Sequence, residues 1–116
     1  LNFGHTFGHA LETFYKYKNI SHGEAISVGM IVESFISNKL GYLKDSEYEM
    51  ILNHFRKAKL KVLDKNIKNN SIIEILLKDK KNFNNKINIV LLKKIGNSFF
   101  SRNHELIEIK RIIKNI

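Results

Sequence analysis

A chain of 116 residues, 43% hydrophobic and 27% charged, has the length and composition of one domain with a modest core. It contains no cysteine, which excludes disulfides and thiolate metal sites. It also has no apolar run near the about 20 residues of a membrane span, and no signal-peptide pattern. The net charge of +9 is unevenly spread: residues 1–50 carry four lysines against six acids, and residues 51–116 carry sixteen Lys and Arg against five. The basic half is rich in Lys, Asn and Ile and has no aromatic-plus-basic motif, so it reads as a solvated lysine surface. Neither a nucleic-acid nor a membrane partner is expected. A non-catalytic basic helical domain that binds nucleic acid is the alternative from another class of function.

In chain order, Phe3, Phe7, Ala10, Leu11 and Phe14 recur at helical spacing and predict a helix over residues 3–17. After a connector, Ser21 and Glu24 form an S-x-x-E capping box that puts His22 at the first position of a second helix. That helix is apolar almost all round, as expected of a helix buried on most sides, and Gly41 is its stop. Residues 46–58 predict a third helix, and "SIIEILLKD", with a box of Ser71 and Glu74, a short fourth. "KINIVLLKKIGNSFF" reads as a small β-hairpin near residues 86–100, turning at Gly96-Asn97. "NHELIEIKRIIKN" closes the sequence as an amphipathic helix capped by Asn103. The class is mainly α.

The chemistry gathers near the start, in "LNFGHTFGHALE" and then "SHGEA". At about 100° per residue, Asn2, His5, His9, Glu12 and Lys16 fall within an arc of roughly 80°, opposite the phenylalanines. Gly4 and Gly8 form a small-residue strip where another backbone can approach closely. Two histidines at i and i+4 can share one metal, as in H-E-x-x-H sites. Thr6 stands where that motif has its general-base Glu, so a metalloprotease reading fails. His22 is a third candidate imidazole, and a helix N-terminus disfavours its protonated form. Neutral imidazole is the form a metal needs. His54 and His104 have no such company and read as structural or solvent-facing.

"LNFGHTFGHALE", followed by "HGEAISVGM" and later "KDKKN", resembles the C-terminal domain of the 3-dehydroquinate synthase family. The resemblance implies the helical, metal-binding C-terminal domain of a two-domain fold. The N-terminal dinucleotide-binding domain of that fold is expected to be missing from this chain. The chain starts at Leu1, inside its best motif, and is therefore expected to be a fragment spanning 1–116 of that domain. The implied activity converts 3-deoxy-D-arabino-heptulosonate 7-phosphate to 3-dehydroquinate and phosphate. NAD is used catalytically, and a divalent metal, Zn2+ or Co2+, is required.

Carried over residue by residue, the resemblance makes His5 and His22 metal ligands, with a third ligand, a Glu, upstream of this segment. It makes His9 a catalytic residue in the substrate site and Asn2 a contact to substrate hydroxyls. Lys80 and Lys81 match the segment that supplies a phosphate-binding lysine. No residue of this chain is assigned to NAD, and the fragment alone is expected to be inactive. The family also implies a cytoplasmic shikimate-pathway enzyme acting on a small sugar phosphate, often as a homodimer. Relatives with the same motif cyclise other sugar phosphates, such as 2-deoxy-scyllo-inosose synthase, and are the nearest alternative.

Overall fold

In a computed structural model, described over residues 3–79 and 84–116, five helices pack with one β-hairpin. The order is α1 (His5–Phe14), α2 (His22–Lys39), α3 (Asp45–Lys57), α4 (Asn70–Lys78), β1 (Lys86–Lys94), β2 (Asn97–Glu105) and α5 (Leu106–Ile113). The mainly α class with a small hairpin before the last helix is the one expected. α2 is the central element and packs against α1, α3, α5 and β1. The radius of gyration of the whole structure, 13.1 Å, suits a single core of this size.

The core joins Phe7, Ala10 and Leu11 of α1 to Ala25, Val28, Val32 and Ile36 of α2. Ile72 and Leu76 of α4, Ile87, Ile89 and Leu91 of β1, and Ile109 and Ile113 of α5 complete it. α2 is buried on most of its circumference, as its apolar pattern predicts, and that surround includes Ser27, Glu33, Ser34 and Ser37. These buried hydroxyls all donate to backbone carbonyls, Ser34 and Ser37 within α2 and Ser27 to Lys61. Ser37 Oγ donates to the Glu33 carbonyl at 2.7 Å and accepts from the Leu92 N–H at 2.9 Å, which ties α2 to β1. α3 buries no residue fully and lies at the edge of the domain.

Three local expectations are corrected. α1 ends at Phe14, because Lys16 and Tyr17 turn to positive φ, so Lys16 leaves the polar face on which the periodicity put it. α4 is capped by Asn69, whose side chain accepts from the Ser71 N–H at 2.9 Å. Ser71 is therefore already inside the helix and forms no box with Glu74. The hairpin extends to residue 105, with Lys86 opposite Glu105 and Ile87 opposite His104. Asn103 lies inside β2, at the register irregularity between the Ile87 and Ile89 pairs, and α5 starts after Glu105. The two-residue turn is Ile95-Gly96, with Gly96 at φ +81 where side chains are disfavoured, and Lys94 pairs with Asn97.

Candidate metal and substrate site

α1 and α2 run antiparallel and meet backbone to backbone. A Cβ on Gly4 would lie 2.8 Å from the Ile26 carbonyl oxygen and from the Met30 nitrogen. One on Gly8 would lie 3.1 Å from the Ala25 carbonyl oxygen, and one on Gly29 would overlap the Gly4 carbonyl. The small-residue strip is thus a packing notch, and Gly29 is its other half. Gly4, at φ +83, begins α1 without a side-chain cap of its own. The cap comes from α2: the fully buried Glu33 carboxylate accepts the Gly4 N–H at 3.0 and 3.2 Å. Burial pushes that carboxyl well above the usual range, although N–H donation from Gly4 and Val90 opposes the shift.

This close crossing brings three imidazoles together. Ring centroids are 5.3 Å apart for His5 and His9, 6.0 Å for His5 and His22, and 6.5 Å for His9 and His22. His22 is the first residue of α2. The predicted box forms there, with Ser21 Oγ accepting from the Glu24 N–H and the Glu24 carboxylate accepting from the Ser21 N–H. That N–H and the Ser21 hydroxyl hold the Glu24 carboxyl below its ordinary value. His22 Nδ1 lies 3.0 Å from Glu12 Oε2. Glu12 is buried, whereas the His22 side chain is 62% exposed. Sequence reasoning placed Glu12 on the histidine face and gave it no role. Glu33 it missed altogether.

His5 and His9 also face a cleft of about 310 Å³ that runs between α1 and the hairpin. Thr6, Asp79, Asn88, Phe100 and Arg102 line it further. Thr6 Oγ1 donates to the Asn88 carbonyl at 2.8 Å, fixing α1 against β1. The Arg102 guanidinium stacks 4.9 Å from the centre of the Phe100 ring. His9 is exposed at the cleft mouth and His5 half-buried. Asn2, Lys80 and Lys81 lie outside the described residues. His54 is exposed on α3, and His104 Nδ1 pairs with Glu108 at 2.8 Å, so neither joins the cluster.

Two imidazoles on one tetrahedral ion have centroids about 5 Å apart. His5 and His22 are about 1 Å wider than that, a gap that side-chain rotation closes. Nδ1 of His22 is occupied by a carboxylate, which leaves Nε2 as its ligating atom. Among the described residues no group of three or more His, Asp or Glu is arranged to hold a metal ion. A metal site built on His5 and His22 would therefore need a further donor.

The fold is that of the C-terminal part of sugar phosphate cyclases. A 2-epi-5-epi-valiolone synthase from Streptomyces hygroscopicus subsp. jinggangensis, solved with NAD+ and Zn2+ bound, superposes with a TM-score of 0.82 at 24% identity, over 98% of this chain and 31% of its own. A 2-deoxy-scyllo-inosose synthase, complexed with carbaglucose-6-phosphate, NAD+ and Co2+, gives 0.80 at 24% identity, over 98% of this chain and 32% of its own. The sequence model of the 3-dehydroquinate synthase C-terminal family matches residues 1–82, and the chain belongs to that family. Proteins named 3-dehydroquinate synthase from Clostridium acetobutylicum and Buchnera aphidicola subsp. Baizongia pistaciae are 42% and 41% identical over 88% and 99% of the chain. The chain spans 29% and 33% of their respective lengths. No described helix is long and apolar enough to cross a membrane.

Proposed function

We propose that this chain is the metal- and substrate-binding part of a 3-dehydroquinate synthase, which turns 3-deoxy-D-arabino-heptulosonate 7-phosphate into 3-dehydroquinate and phosphate. The observation that carries the reading is the convergence of His5, His9 and His22 across a backbone-to-backbone helix crossing in a member of this family. His5 and His22 would hold Zn2+ or Co2+, together with a carboxylate from the part of the protein upstream. When bound, the ion would supply a Lewis acid that favours ionisation of a substrate hydroxyl, and NAD would supply hydride acceptor and donor capacity with no net redox change.

The chain's own residues do the rest on this reading. His9, at the mouth of the cleft and one turn from His5, is placed to move a proton at the substrate while leaving the metal to His5 and His22. Asn2 binds substrate hydroxyls, and Lys80 or Lys81 offers a point charge to the phosphate. Asp79, which precedes those lysines, lines the same cleft as His5 and His9. Thr6, Asn88 and Phe100 form part of its walls. The reading carries with it a cytoplasmic shikimate-pathway enzyme, a small sugar phosphate as its partner, and a homodimer. A second reading, another sugar phosphate cyclase, is favoured by the superposition on the valiolone and inosose synthases.

The test is phosphate release from 3-deoxy-D-arabino-heptulosonate 7-phosphate with NAD and Zn2+, using the complete protein. Release that a chelator and His5→Ala both abolish supports the synthase. A zinc-loaded, folded protein that releases none, yet acts on another sugar phosphate, supports the second reading.

A further inference from the structure

We propose that Glu12 is a positioning residue for the metal site, holding His22 in the single tautomer and ring orientation that directs Nε2 toward His5. The inference rests on the metal reading above and extends it to a residue that reading leaves without a role.

Glu12 sits one turn beyond His9 on the same face of α1, at the level where the antiparallel crossing meets the first residue of α2. Its side chain is 10% exposed, yet among the described residues it has no Lys or Arg partner. A buried carboxylate is costly unless hydrogen-bonded, and the one side-chain partner shown is His22 Nδ1 at 3.0 Å. His22, 62% exposed at the start of a helix, is otherwise free to sample several rotamers. Isolated imidazole also distributes its proton between two nitrogens. A carboxylate at Nδ1 removes both freedoms, because it accepts the Nδ1–H and leaves the Nε2 lone pair outward. The same pairing lets the carboxylate offset positive charge delivered to the ring by a bound cation. Glu12 thereby makes the ring a better ligand and is itself relieved of uncompensated burial. Carboxylate partners of this kind change metal affinity 10- to 100-fold, that is by about one to two orders of magnitude.

The decisive experiment measures Zn2+ affinity of the complete protein by competition with a chromogenic chelator, for wild type, Glu12→Ala, Glu12→Gln and His22→Ala. It is paired with 15N chemical shifts of the His22 ring in metal-free protein. The proposal expects the wild-type ring to be Nδ1-protonated, and Glu12→Ala to shift it toward the Nε2-protonated form while loosening zinc by about 10- to 100-fold. Glu12→Gln keeps an acceptor oxygen but no charge, so it should retain the tautomer and lose less affinity than Glu12→Ala. The glutamine variant also covers the case in which the alanine variant fails to fold. Zinc affinity and tautomer both unchanged in Glu12→Ala, with zinc lost in His22→Ala, would overturn the role of Glu12 and leave the metal reading standing. Wild-type zinc binding that His22→Ala does not weaken would overturn the metal reading, and this proposal with it.

Discussion

Glu33 caps a helix that is not its own: both of its carboxylate oxygens accept the N–H of Gly4, at 3.0 and 3.2 Å, one residue before His5. Removing that carboxylate strips the donors of Gly4 and Val90 of their acceptor inside the core. Glu33→Ala should destabilise the fold by about 2–4 kcal/mol, read as a lowered denaturant midpoint. A loss below about 0.5 kcal/mol would mean that water replaces the carboxylate, contrary to its full burial.

Two buried acids should give opposite pH dependences. Burial raises the Glu33 pKa, so the folded state binds its proton more tightly than the unfolded chain does. Its contribution is most favourable below the unfolded value near 4.5 and is lost as pH rises toward the folded value. Asp64 behaves in reverse. Burial alone would raise it, but the Asn66 N–H, Lys61 and Tyr15 together bring it below its usual value. The stability it adds is complete above the unfolded value near 3.8 and disappears as pH falls through the folded value. Denaturation curves from pH 3 to 8 should flatten on the neutral side in Glu33→Gln and on the acid side in Asp64→Asn.

Gly29→Ala should be among the most damaging small substitutions in the chain. Its added methyl would meet the Gly4 carbonyl, which is backbone and cannot swing away. A cost of about 1–3 kcal/mol is expected. The His5–His22 separation should widen as well, so zinc affinity of the complete protein should fall along with stability. Gly23→Ala is the control, because a Cβ there meets nothing within 4 Å.

His5 and His9 should separate by function although they stand one turn apart. In the complete protein, His9→Ala should lower the rate of phosphate release by about 10²- to 10⁴-fold and leave zinc content intact. His5→Ala should lose both. Equal loss of zinc in the two variants would make His9 a ligand and remove its proton-transfer role.

Local signals in the sequence were legible where the interaction they describe is local. Ser21 and Glu24 cap α2 because the box closes within three residues. Ser71 and Glu74 show the same pattern, and it fails because Asn69 competes two residues earlier. Asn103 looks like a cap until long-range pairing with β1 draws residues 97–105 into a strand. The face holding His5, His9 and Glu12 follows from helical periodicity alone. The partnership of Glu12 with His22, and of Glu33 with Gly4, needs the antiparallel crossing, which no short window encodes. An acid in the middle of an apolar helix carries no local mark of what will satisfy it.

The glycine contact between α1 and α2 has a bearing on how this domain tolerates change. Because Gly4, Gly8 and Gly29 let main chain approach main chain, the spacing of the two backbones that carry His5 and His22 is set largely at these glycines. Exchanges among Ile, Val and Leu elsewhere in the core should therefore leave the spacing of those two backbones unchanged. The two helices act as a jig, and on the metal reading an ion would find the backbones that carry its ligands already placed by folding.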